Sequence, residues 1–117
     1  MKALERHRTS NPYESKFGYS RAVRRDQFIF VSGTTSIDPA TGEILHPTSA
    51  YLQTLQIFSE IIRAVEALHG TKQDVVRVRM FVTVVEDAED VGRALKEVFG
   101  EVAPAATMII GAKFVEG

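Results

Sequence analysis

The stretch Val75-Val76-Arg77-Val78-Arg79-Met80-Phe81-Val82-Thr83-Val84 alternates without a break. Successive side chains of a strand point to opposite faces, so Val76, Val78, Met80, Val82 and Val84 fall on one side. Arg77, Arg79, Phe81 and Thr83 fall on the other. An aliphatic face of this kind has to be covered, and the flanking segments supply the cover. Before it, Leu52, Leu55, Phe58, Ile62, Val65 and Leu68 recur at spacings of three and four, which predicts a helix over Ser49–Leu68. Gln56, Glu60 and Arg63 lie largely off that stripe, and Gly70 is the expected C′ residue with His69 in the last turn. After it, Ala88, Val91, Leu95 and Val98 predict a second helix over Ala88–Phe99, with Asp87 as N-cap and Gly100 as its stop.

Further out, Tyr19–Val23 and Phe28–Thr35 read as strands around Arg24-Arg25-Asp26. Gly33 inside the second strand marks a bulge or a close approach to the backbone. Asp38-Pro39-Ala40-Thr41-Gly42 is a turn, with Pro fixing φ and Gly supplying a positive one. Residues 1–16 read as an irregular lead-in with a turn at Ser10-Asn11-Pro12. A last strand, Ala105–Lys113, is entered through Pro104. The order β-β-α-β-α-β predicts a single α+β domain over residues 1–117, a mixed sheet with two helices on one face.

The chain has 117 residues, 44% of them hydrophobic and 25% charged, which fits one domain. No run approaches the ~18 apolar residues of a membrane helix. Met1 to Arg8 has no apolar core of a secretory signal. A cytoplasmic location is expected; with both Lys2 and Glu5 present, a mitochondrial transit peptide has only weak support. Fourteen basic against fifteen acidic side chains give a net charge of −1, which argues against a nucleic-acid partner despite Arg6, Arg8, Arg21, Arg24 and Arg25. A chain of this size leaves much surface exposed, so self-association is expected.

Chemistry-bearing motifs are few. Cysteine is absent, which removes disulfides and thiolate catalysis. His7, His46 and His69 lack metal-ligand spacing, Ser32-Gly33-Thr34 is no nucleophile elbow, and the glycines form no phosphate loop. No cofactor is expected. The Arg77/Arg79 face has three readings: guanidiniums solvated or paired with carboxylates such as Glu86 or Asp90, a cleft for a carboxylate or phosphate, or an interface salt bridge.

Taken together, several stretches resemble the RidA/YjgF family. They are Gly18-Tyr19-Ser20-Arg21-Ala22-Val23, Phe30-Val31-Ser32-Gly33-Thr34, Asp38-Pro39-Ala40-Thr41-Gly42, Asp74 to Thr83, Val98-Phe99-Gly100 and Pro104-Ala105-Ala106-Thr107. The resemblance runs from Gly18 to Gly111 in the family's order. It implies a chorismate-mutase-like fold, a homotrimer with ligand clefts between subunits, and cofactor-free hydrolysis of enamines and imines such as 2-aminoacrylate. In that family an Arg of a Pro-Ala-Arg-Ser/Thr motif clamps the substrate carboxylate, and a Glu on the last strand positions water. Here Ala106 stands at the clamp and Gly92 stands where deaminating members have an Asn; the sequence stops at Gly117 before the family's final strand and its Glu, which either follow that point or are lacking. The cleft residues the resemblance implies are Tyr19, Ser32, Gly33, Thr34, Ala106 and Thr107, with Arg79, joined by Arg21, as a replacement positive charge. It leaves open an enamine/imine hydrolase, a non-catalytic small-anion-binding trimer, and an RNA-cleaving or translation-inhibiting protein.

Overall fold

A computed structural model describes residues 3–115. Met1, Lys2, Glu116 and Gly117, the outer ends of the expected lead-in and closing loop, lie outside the described residues. The elements in chain order are β1 (Glu5–His7), α1 (Pro12–Phe17), β2 (Ala22–Arg25), β3 (Phe28–Val31), α2 (Ala50–Ala67), β4 (Arg77–Val82), α3 (Ala88–Phe99) and β5 (Ala105–Ile110).

The alternating stretch becomes β4, with Val78, Met80 and Val82 buried and Arg77, Arg79 and Phe81 exposed. Its parallel partner β5 runs beside it from Arg77↔Ala105 to Val82↔Ile110. Parallel neighbours need a crossover, and α3 provides it. Val76 and Val84, expected to continue the buried face, are 80% and 46% exposed, because both lie outside this ladder. The aliphatic face packs on Phe58 of α2 and on Val91, Ala94 and Phe99 of α3. Phe58 and Phe99 meet edge to face with centroids 5.0 Å apart, a favoured aromatic geometry.

The expected mixed sheet is divided among the described residues. β1, β2 and β3 form an antiparallel sheet, separate from the β4–β5 pair. Helix α2 bridges the two: Ala64 and Leu68 pack on Ala22, Ile29 and Val31 of the first sheet, and Phe58 packs on the second. Ser49 caps its start by accepting from Leu52 N–H at 3.1 Å. At its end His69, not Gly70, takes the left-handed C′ position at φ +72°. His69 N–H donates to Glu66 O and Gly70 N–H to Val65 O, the Schellman pattern, which puts Gly70 at C″. Arg24 closes the same end, donating from Nη1 to Leu68 O at 2.8 Å.

Two further expectations for α2 are corrected. Leu52, placed on the apolar stripe, is exposed, while its first-turn neighbours Ala50 and Tyr51 pack against the core in its place. Glu60, placed off the stripe, is buried, held by Arg63 at 2.9 Å and Gln56 at 3.5 Å.

The lead-in is ordered rather than irregular. β1 pairs with β2, from Glu5↔Arg24 to His7↔Ala22. Asn11 caps α1 by accepting from Tyr13 N–H, Pro12 occupies the first turn, and Gly18 ends the helix at φ +81°. β2 consequently starts at Ala22 rather than Tyr19, and β3 ends at Val31 rather than Thr35. The Asp38–Gly42 turn forms as read: Gly42 sits at φ +77°, its N–H donates to Asp38 O, and Asp38 N–H reaches Glu43 O.

Candidate functional site

The residue that organises the candidate site is Arg21, just before β2. Its backbone is fixed on both sides: its N–H donates to His7 O and its carbonyl accepts from Ser32 N–H, each at 2.9 Å. The side chain is buried, 4% exposed, and turns toward the segment leaving β3. Nη1 donates to Gly33 O at 3.0 Å and Thr34 Oγ1 at 3.3 Å, and Nη2 donates to Tyr19 Oη at 3.2 Å. The guanidinium carbon also lies 5.5 Å from the Tyr19 ring centroid, within cation–π range.

A buried cation needs a partner, and Glu14 of α1 supplies it. Glu14 is also 4% exposed, with Oε2 at 3.5 Å from Arg21 Nε. Its carboxylate accepts in turn from Thr9 N–H at 2.9 Å and from the Thr9 hydroxyl. The expected role of Arg21 as positive charge for a ligand is thereby corrected. Nη1 and Nη2 donate to protein groups, Nε has only the ion-pair contact with Glu14 and no hydrogen bond among the described residues, and burial keeps the guanidinium from the surface.

Three of the predicted cleft residues, Tyr19, Gly33 and Thr34, are thus tied to one guanidinium. Ser32 adjoins them, with Oγ donating to Ser20 O at 2.7 Å. The Thr34 hydroxyl donates to Ser32 O at 2.9 Å. Gly33 lies past the end of β3, its φ is outside the left-handed region, and a Cβ there would meet nothing within 4 Å. Neither strain nor crowding within one chain requires a glycine. Its N–H has no hydrogen-bond partner among the described residues.

The other predicted residues form a second group. Arg79 and Thr107 are neighbours in the β4–β5 register and share the exposed face with Arg77, Phe81 and Ile109. Ala106 is in register with Val78, on the opposite face, and is itself exposed. Among the described residues no hydrogen bond or ion pair engages the side chain of Arg77 or Arg79, and Asp90 pairs with Arg93 instead.

Two cavities adjoin these elements. One of about 10 Å³ lies behind Arg21 and Thr34, lined also by Thr9, Asn11 and Glu60; it is of single-water size. An open groove of about 390 Å³ runs between α2 and α3 along Leu55, Ser59, Ile62, Arg63, Glu66 and Val98. It contains none of the predicted residues. Reading the sequence missed Glu14, Thr9 and Glu60. A signal existed for Glu14, which stands three residues after the Asn11 cap, the spacing of a capping box.

The α+β fold of this chain is shared by solved structures of YjgF/RidA-type proteins. A member of the YjgF/YER057c/UK114 family from Mycobacterium tuberculosis superposes with a TM-score of 0.84 at 27% identity, over 97% of this chain and 88% of that one. RidA from an Antarctic Psychrobacter gives 0.78 at 27% identity, over 86% and 80%. In sequence, an uncharacterised protein of Streptomyces coelicolor is 30% identical over 97% of this chain and 84% of its own length. A RutC family protein of Pyrococcus horikoshii is 32% identical over 78% and 71%. The family model described as Endoribonuclease L-PSP matches residues 9–116. The chain belongs to this family, the RidA/YjgF group.

Proposed function

We propose that the protein binds a small carboxylate-bearing molecule beside Tyr19, Gly33 and Thr34, in a cleft completed by another copy of the chain in a homotrimer. The observation that carries this reading is the convergence of three cleft residues on one buried guanidinium, which ties them together. Apolar side chains left exposed on both sheets, Phe28 and Phe30 on β3 and Phe81 and Ile109 on β4 and β5, support the assembly. The ligand is a small metabolite of the cytoplasm, and no cofactor takes part.

Family membership favours hydrolysis of 2-aminoacrylate-type enamines as the second reading. The enamine tautomerises to an imine, water adds to the imine carbon, and ammonia leaves to give pyruvate. Ala106 offers a methyl group where the family's clamp would offer a guanidinium, so binding is placed ahead of catalysis. Calorimetric titration of purified protein with pyruvate tests the first reading: saturable binding, one molecule per subunit, is expected, and no heat of binding would refute it. Semicarbazone formation timed in the presence of a 2-aminoacrylate generator tests the second. Acceleration over the protein-free reaction establishes the hydrolase, and an unchanged rate leaves the binding protein.

A further inference from the structure

Each hydroxyl around Arg21 has one proton to give, and the hydrogen bonds account for where it goes. Ser32 gives its proton to Ser20 O, and Thr34 gives its proton to Ser32 O. Tyr19 differs. Its oxygen accepts from Arg21 Nη2, and a guanidinium has no lone pair to receive a proton back. The phenolic proton therefore points away from Arg21, and the Tyr19 hydroxyl donates to nothing else among the described residues. Tyr19 is 36% exposed, so that proton reaches the surface.

We infer that Arg21 is a positioning residue that, anchored by Glu14, fixes the Tyr19 hydroxyl as an outward hydrogen-bond donor and so selects ligands presenting an acceptor oxygen there. The inference rests on the cleft reading above and sharpens its substrate class. Carboxylates and 2-oxo acids fit; a ligand offering only an ammonium or amide N–H at that point does not. Glu14 belongs to the device, because its carboxylate near Nε leaves Nη1 and Nη2 for Gly33, Thr34 and Tyr19. Lysine cannot replace arginine here, since one ammonium cannot span Glu14, Gly33 and Tyr19 together.

The test uses the full chain carrying Tyr13→Phe and Tyr51→Phe, so that Tyr19 is the sole tyrosine. The tyrosine Raman doublet distinguishes a phenol oxygen that accepts a hydrogen bond from one that does not. The acceptor signature is expected with Arg21 and its loss with Arg21→Lys. In pyruvate titrations Tyr19→Phe and Arg21→Lys each weaken binding about tenfold, and the double variant weakens it no further, because Arg21 acts through that hydroxyl. An unchanged doublet in Arg21→Lys, or losses that multiply to about a hundredfold, would overturn the inference. A doublet that responds to Arg21→Lys in a protein that does not bind pyruvate supports the positioning role and overturns the cleft reading instead. Should Arg21→Lys not fold, Glu14→Leu with Arg21→Met removes both buried charges at once, a replacement that folded proteins often tolerate. Loss of the acceptor signature is expected there too, and its retention would refute the role of Arg21.

Discussion

Tyr51, at the start of α2, donates its hydroxyl to Glu97 Oε2 at 2.5 Å, and the Arg93 guanidinium stacks 3.7 Å from its ring centroid. Donation to the carboxylate raises the phenol pKa above its ordinary 10, with burial and the Glu97 charge adding and Arg93 opposing. A pKa raised in the folded state means the contact stabilises fully below about pH 10 and is lost as pH rises through the folded value. In an ultraviolet titration Tyr51 should ionise above the ordinary phenol range. Glu97→Gln should bring it down, and an unchanged curve would contradict the assignment. None of this was readable from the residue types, since Tyr51 and Glu97 are 46 positions apart. The burial of Glu14 and Glu60 was not readable either, although their partners lie within seven residues of them. A carboxylate's burial depends on which partner arrives, and in the sequence both look like surface charges.

Elements with a long periodic pattern were legible: β4, α2 and α3 lie where alternation and three-four spacing put them. The short ones were not. β1 has three residues and owes its existence to pairing with β2. The α1 cap, Asn11-Pro12, was noticed as a turn but not as the start of a six-residue helix. The end of α2 lies one residue before the expected one, with His69 rather than Gly70 at C′. His69 accepts the left-handed conformation, whereas Gly70 is required by space. A Cβ on Gly70 would lie 2.8 Å from Val65 Cγ1 and 3.0 Å from Ile29 Cδ1. Because that contact joins α2 to β3, Gly70→Ala should destabilise the fold by about 1–3 kcal/mol. The expected readout is a lower urea midpoint at unchanged slope. An unmoved midpoint would show that the helix end yields at no cost.

At the scale of the molecule, the ordered set of family stretches predicted the fold, and the α+β architecture and family membership agree with it. The division into two sheets under one bridging helix was not legible, because hydrogen bonding between distant strands leaves no local pattern. Nor was the grouping of site residues. Tyr19, Gly33 and Thr34 gather on Arg21, whereas Arg79 and Thr107 belong to the other sheet. Within the proposed trimer, the exposed aromatic pair Phe28 and Phe30, centroids 6.4 Å apart, should be covered by a neighbouring copy. Phe30→Asp should then convert trimer to monomer in sedimentation, and a wild-type chain that already sediments as a monomer would refute the assembly.

The central claim is that a small carboxylate sits against the residues held by Arg21. Backbone-amide NMR of the full chain titrated with pyruvate tests it most directly. The account predicts saturable shifts concentrated at Tyr19, Gly33 and Thr34. Absent shifts, or shifts confined to the α2–α3 groove around Ser59 and Glu66, would contradict it.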